Sequence, residues 1–205
     1  MDFKVGFRPK REKVSGLELA VEANTIEGSG ARLAFSNIGG KFSGFELGLV
    51  SHVKDYTGFQ ISALYGKSDD YEGIRAGIVG NTKNFKGLDI NVVGKTEKFT
   101  GFKYSALYNY ANEMNWYQRS SVVNVAGVLK GMQVAPINYA KEAYGFQSGV
   151  VNYARKFRGF QFSLFNMCGE DSKGLQIGLI NYRKGAPWYA RFIPFIAFRF
   201  KKNKK

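Results

Sequence analysis

The sequence contains few of the residues on which disulfide scaffolds and many active sites depend. Among 205 residues there is one cysteine and one histidine. Because Cys168 has no second cysteine to pair with, an internal disulfide framework is excluded. His52 has no second histidine for a metal site and no recognisable nucleophile beside it. We therefore predict a protein that is not an enzyme, with no catalytic residues, no cofactor and no metal site.

Long apolar runs are also missing. No stretch approaches the roughly eighteen consecutive apolar residues of a membrane-spanning helix, so spanning by a helix is excluded. The first fourteen residues, MDFKVGFRPKREKV, carry charges throughout and show no signal peptide. Two explanations stay open: the chain is not exported by that route, or a start methionine replaces a leader that was removed.

Acidic residues are outnumbered by basic ones, 16 to 30, which gives a formal net charge of +14. Such an excess favours anionic partners, including nucleic acid, lipopolysaccharide and phospholipid headgroups. The basic residues recur between apolar runs, however, and solvated turn residues explain that placement equally. The hydrophobic content of 44% is that of a folded domain rather than of a disordered polymer.

What the sequence has in abundance is a repeat of about fourteen residues, each opened by a glycine. Numbering each unit from its glycine as position zero, we assign Tyr117 to that place in the one unit without a glycine. Positions one, three and five are mostly apolar and position two is polar, an alternation typical of a two-faced β-strand. Charged and small residues after position seven indicate turns. The pattern excludes helix and predicts an all-β chain of about twelve tandem strand-plus-turn repeats. The opening glycines are Gly16, Gly30, Gly44, Gly58, Gly73, Gly87, Gly101, Gly131, Gly145, Gly159 and Gly174.

Two polar columns run through the aligned repeats. At position two many side chains are charged, and their sign alternates between several neighbouring units; we predict that this row lines a lumen or an exposed surface. Its members are Glu18, Arg32, Glu46, Arg75, Asp89, Lys103 and Arg119. At position seven the last five units carry asparagine, and stacked amides can hydrogen-bond to one another, so we predict a structural ladder. Its members are Asn124, Asn138, Asn152, Asn166 and Asn181.

Two architectures can use such a unit. The main prediction is an antiparallel meander that closes as a β-barrel of roughly 12–14 strands, because one unit has the length of a membrane strand. The alternative is a parallel β-solenoid in which each unit is one coil and equal positions stack; the two polar columns favour it. We predict a single domain over residues 1–205, with a lead-in strand at 1–15, repeats at 16–187, an aromatic closing strand at 188–200 and a basic tail at 201–205.

The glycine spacing is interrupted once, at NYANEMNWYQRSS, residues 109–121. We predict that this segment is an extended loop, and loops are where specific binding residues concentrate. The candidate binding residues are Asn115, Trp116, Tyr117 and Arg119.

Several units, above all GLQIGLINY at 174–182, GFQSGVVNYA at 145–154 and GMQVAPINYA at 131–140, resemble the bacterial surface repeat-containing proteins of the leptospiral GLQIGLIN type. The resemblance covers roughly residues 16–200, although the first seven units mostly replace the glutamine and the asparagine. It implies a protein of the bacterial outer membrane or cell surface and transfers no catalytic residue.

Three functions follow as hypotheses. The main one is a non-enzymatic outer-membrane or cell-surface repeat protein, structural or pore-like, with membrane lipid, lipopolysaccharide or other anionic ligands as partners. The alternative is a soluble β-solenoid adhesin that binds glycans or acidic polymers. The third and least favoured is a basic nucleic-acid-binding protein, because no nucleic-acid-binding module is recognisable.

Overall fold

The computed structural model describes residues 2–6 and 10–199, and the chain is all β, with 92% strand. Its strands form one sheet whose order follows the chain. Strands β1 to β5 pair in parallel, and β6 pairs antiparallel with β5. The strands are β1 Asp2–Gly6, β2 Lys10–Ser120, β3 Val123–Val134, β4 Ile137–Cys168, β5 Lys173–Arg183 and β6 Phe192–Arg199, with a turn of 3-10 helix at Trp188–Ala190.

The register shows that each repeat is one coil. Gly131 pairs with Gly145, and Asn124 pairs with Asn138, so equal positions of successive repeats lie side by side. Because the chain returns to the same place in the same direction, the sheet is a β-solenoid of about 12 turns. The all-β repeat architecture predicted from the glycine period is confirmed.

The barrel prediction is wrong, and the solenoid alternative is supported. In a meander each strand would run against its neighbour, whereas here the repeats pair in parallel one period apart. The predicted closing strand at 188–200 becomes the 3-10 turn followed by β6, which pairs with β5 instead of with the first strand. In a solenoid every coil runs in the same direction, so the sequence repeats with the period of a single coil rather than of a hairpin.

The chain divides into two compact units, residues 1–104 and 105–205. The predicted lead-in includes β1, which pairs in parallel with the first repeat through Phe3 and Leu17. The predicted basic tail at 201–205 lies outside the described residues. The single-domain assignment stays a prediction.

Candidate binding faces

In the first unit the charged side chains of position two are buried. Arg32 Nε donates to Glu18 Oε2 at 3.1 Å and Arg32 Nη1 to Glu46 Oε2 at 3.5 Å. Gln60 Nε2 donates to Glu46 Oε1 at 2.8 Å. Burial raises the pKa of Glu46, against the lowering effect of its Ser51 hydrogen bond and of Arg32. The carboxylates and the guanidinium thus form a ladder across successive coils.

A second ladder of the first unit is centred on Asp89. Arg75 holds this carboxylate with two hydrogen bonds, from Nε to Oδ1 at 2.9 Å and from Nη2 to Oδ2 at 3.1 Å. Lys103 Nζ lies 3.8 Å from Asp89 Oδ2 and donates to the Thr96 hydroxyl. Burial disfavours the charged carboxylate, but Arg75 and Lys103 outweigh burial and hold the pKa of Asp89 below its usual value. Burial, opposed by Asp89, lowers the pKa of Lys103 to about 7.

The position-two row therefore lies inside the fold, which corrects the predicted lumen or exposed surface. Its members in the first unit are buried almost completely: Glu18, Arg32, Glu46, Arg75, Asp89 and Lys103. The reason is pairing, because a buried charge is tolerated when an opposite charge and further hydrogen bonds accompany it. The two ladders together contain three acidic and three basic side chains, so the formal charges of this row balance.

Beside the charged row runs a column of buried rings in the first unit. Successive centroids lie 5.9, 5.0, 4.6 and 5.0 Å apart, and the angles between ring planes are 26°, 13°, 6° and 11°. The Arg32 guanidinium lies 4.1 Å from the centroid of Phe42, and that of Arg75 lies 4.9 Å from the centroid of Phe85. The rings add stacking and cation–π attraction to the interior. They are Phe42, Tyr56, Tyr71, Phe85 and Phe99.

In the second unit two columns of the interior are amides. Each asparagine donates from Nδ2 to the Oδ1 of the next, at distances between 2.9 and 3.3 Å, and Asn109 precedes the five asparagines identified from sequence. Asn181 ends the series by donating to the Ile193 carbonyl of β6 at 3.1 Å. A parallel series of glutamines links Gln118, Gln133, Gln147, Gln161 and Gln176 at 2.7 to 3.0 Å.

Position zero of the unit without a glycine is Trp116, not Tyr117, because Trp116 pairs with Gly131. Gln118, rather than Arg119, consequently occupies position two, and Arg119 is exposed. The spacing could have revealed this assignment, since fifteen residues separate Gly101 from Trp116 and another fifteen separate Trp116 from Gly131.

The predicted loop at 109–121 is strand up to Ser120 and contributes to the interior through Ala111 and Met114. The four candidate binding residues differ in placement. Asn115 and Tyr117 are half-buried, whereas Arg119 and Trp116 are exposed, and Trp116 has a positive φ of 95°. The absent glycine therefore marked a coil corner occupied by tryptophan rather than an inserted loop.

Polar columns occupy much of the interior, and many large apolar side chains face outward. In the first unit Phe45, Leu47 and Leu49 are exposed, and Phe45 stacks on Phe59 at 5.5 Å. In the second unit the exposed fractions of Phe162, Leu164 and Leu179 are 52%, 47% and 53%. Each unit thus carries outward rows of large apolar side chains, and contiguous surfaces of this kind commonly mark interaction sites.

A shallow groove of about 440 Å³ runs across the apolar face of the second unit. Three of its lining residues are small residues four places after an opening glycine: Gly149, Ser163 and Gly178. The other lining residues are apolar: Phe162, Leu164, Ile177, Leu179, Phe195 and Ile196. The alternation of apolar and polar residues does not predict this groove, because the groove depends on which face is turned outward.

The outer charges differ between the two units. Among the described side chains of the first unit, acidic and basic residues outside the interior are equal in number. In the second unit, the basic residues outside the interior outnumber the acidic ones. Its outer basic residues are Arg119, Lys130, Lys141, Arg155, Lys156, Arg158, Lys173, Arg183, Lys184 and Arg191, and its acidic residues are Glu113, Glu142, Glu170 and Asp171.

Comparison with known proteins gives no match: no family model, no curated protein and no solved structure is similar to this chain. Within residues 2–6 and 10–199, no group of three or more histidine, cysteine, aspartate and glutamate side chains is placed to hold a metal ion. The same part of the chain has no helix whose length and hydropathy suit a membrane span. Cys168 is buried, and its thiol donates to Gln176 Oε1 at 3.7 Å.

The lowered pKa of Lys103 predicts that stability rises with pH above neutrality. The ordinary pKa is 10.5 and the folded value is about 7, so between these values the unfolded chain binds a proton that the folded chain does not. The free energy of unfolding should therefore increase with pH in this window, by at most about 1.4 kcal/mol per pH unit. Urea unfolding followed by circular dichroism at several pH values below 10 measures this slope.

The matched variant is Lys103→Met, in which the rise with pH should be reduced or lost. In this variant Asp89 keeps Arg75 as its buried partner. The readout is the slope of the free energy of unfolding with pH, and not its absolute value. An equal slope in wild type and in the methionine variant would assign the pH dependence to other groups.

Proposed function

We propose that this chain is a non-enzymatic, structural repeat protein of the bacterial envelope that acts through its outer faces. The observation that carries the proposal is the arrangement of side chains: ladders of polar groups lie in the interior beside buried rings and small apolar residues, and rows of large apolar side chains such as Leu164 and Leu179 face outward. A soluble protein seldom leaves such rows uncovered without a binding purpose. The bacterial envelope as the location comes from the resemblance of the GLQIGLIN-type repeats.

A scaffold role is favoured over a pore. The interior positions of each unit are occupied by buried side chains, among them Arg32 and Arg75 in the first unit and Gln133 and Gln147 in the second. These side chains are held by hydrogen bonds to the neighbouring coils, so over residues 10–199 the position-two row is engaged inside the fold rather than turned toward an aqueous channel.

The test is fractionation of the source bacterium. Antibodies raised against the purified chain should detect most of the protein in the envelope pellet after cell breakage and ultracentrifugation. Extraction of the pellet with high salt and with carbonate then separates peripheral attachment from aggregation. Predominant recovery in the soluble fraction would overturn the envelope assignment, and stepwise conductance of the purified protein in planar bilayers would overturn the scaffold role.

A second candidate, an adhesin for acidic polymers, has one observation in its favour. The outer surface of the second unit is rich in basic side chains, including Lys130 and Arg158, and basic surfaces attract polyanions. The measurement is retention of the protein on immobilised acidic polysaccharide. Retention that decreases with salt, and that is unchanged when the outer leucines are substituted, would favour this candidate over attachment through the apolar face.

A further inference from the structure

We infer that the apolar face of the second unit is a docking surface for a lipid bilayer containing anionic lipids. This inference deepens the proposed envelope function and rests on it only for the compartment in which the protein meets lipid. It is carried by the coincidence of an outward apolar surface and a bordering column of basic side chains in the same unit.

The apolar part of the surface is built from the outer positions of successive coils. Phe146 stacks on Phe160 at 5.3 Å, two residues before position three of their coils. Leu164, Leu179 and neighbouring side chains border the apolar groove. An extended surface of leucines and aromatic rings suits the boundary between headgroups and acyl chains, where amphipathic elements bury their apolar side.

The charged part borders this surface at the glycine corners. Lys130, Arg158 and Lys173 each immediately precede an opening glycine, so they occupy equal positions in their coils. The register pairs Arg158 with Lys173 and Lys130 with Tyr144, and the Arg158 guanidinium lies 5.7 Å from the centroid of the Tyr144 ring. A column of positive charge beside an apolar surface is complementary to a bilayer with anionic headgroups.

Charge also selects the bilayer over a second copy of the chain. Two copies joined through this face would bring equal basic columns together, and like charges in contact disfavour association. The first unit supplies the contrast, because it has outward leucines but no charge excess among its described outer side chains. Bilayer binding should therefore depend on the apolar side chains of the second unit more than on those of the first.

The experiment uses the purified full chain and vesicle flotation. Vesicles of equimolar phosphatidylcholine and phosphatidylglycerol should carry the protein upward, and vesicles of phosphatidylcholine alone should carry about tenfold less, because basic residues near an anionic surface each add attraction. Raising the salt concentration should weaken binding, because screening shortens the range of the charge interaction.

Two variants separate the contributions of the face. The double substitution Leu164→Ser and Leu179→Ser should weaken binding to the anionic vesicles by about tenfold through loss of buried apolar area. The matched control, Leu47→Ser with Leu49→Ser in the first unit, should bind like wild type. The triple substitution Lys130→Gln, Arg158→Gln and Lys173→Gln should reduce binding by at least about tenfold at low salt. Unchanged circular dichroism spectra establish that each variant is folded.

Several outcomes would overturn the inference. Equal binding by wild type and the L164S/L179S variant would show adsorption by charge alone. No flotation, together with a dimer that this variant abolishes, would assign the face to a second copy. A vesicle result is independent of cell fractionation, so envelope recovery without lipid binding removes this inference alone, and lipid binding with recovery in the soluble fraction removes the envelope assignment alone.

Discussion

Replacing Asp89 with alanine is expected to destabilise the first unit by about 3–5 kcal/mol, the usual cost of leaving buried charges without their partner. Asp89 accepts two hydrogen bonds from Arg75 and lies 3.8 Å from the Lys103 ammonium. Arg75 and Lys103 are buried, so water cannot replace the lost carboxylate, and the Arg75 guanidinium keeps its charge. Urea unfolding followed by circular dichroism measures the loss as a lower midpoint.

The control is an ion pair of the same unit that lies at the surface. Lys83 Nζ lies 3.0 Å from Asp69 Oδ1, and the exposed fractions of the two side chains are 58% and 32%. Asp69→Asn should therefore change the midpoint little. If Asp89→Ala does not fold, the triple variant with Arg75→Met and Lys103→Met restores the test, because an apolar interior needs no counter-charge. Equal midpoints for wild type and Asp89→Ala, or a triple variant less stable than the single one, would contradict the ladder as the source of stability.

The ladders were the part of the fold most visible in the sequence. Alternating signs at position two indicated that Glu18, Arg32 and Glu46 would lie beside one another in register. The repeated asparagines indicated a hydrogen-bonded column, such as the one the structure places from Asn109 to Asn181. Both signals pointed to the solenoid, whereas the barrel prediction depended on the outer-membrane association of the resembling family, on strand length and on the aromatic end of the chain.

The direction in which the faces point could not be predicted from alternation. A period of two shows that Gln147 and Phe146 lie on opposite sides of a strand, but it does not say which side is inside. In this coil the glutamine side of position two lies inside, because each buried amide meets an identical amide one coil away: Gln147 donates to Gln133 and accepts from Gln161. The groove and the apolar face depend on this direction, which the alternation alone does not contain.

The second large effect is expected from substituting a glycine that opens a coil. Gly145→Ala should destabilise the second unit by about 3–5 kcal/mol. Gly145 has a φ of +141°, a conformation that residues with a side chain rarely adopt. A Cβ at this place would lie 2.1 Å from the carbonyl oxygen of Gly131, which is backbone and cannot rotate away. The coils would have to separate, and the Gly131–Gly145 pairing of the sheet would be disturbed.

Trp116 provides the matched control because it occupies the same coil position with a φ of 95°. Trp116→Gly removes a side chain that is 63% exposed and relieves a non-glycine residue at positive φ, so these opposing effects should leave stability within about 1 kcal/mol of wild type. Since each coil contacts only its neighbours, the damage in Gly145→Ala should be local, and hydrogen exchange should accelerate most in β3 and the adjoining part of β4. Exchange rates that rise equally throughout both units, or an alanine variant as stable as Trp116→Gly, would show that the glycines are not required for close approach of the coils.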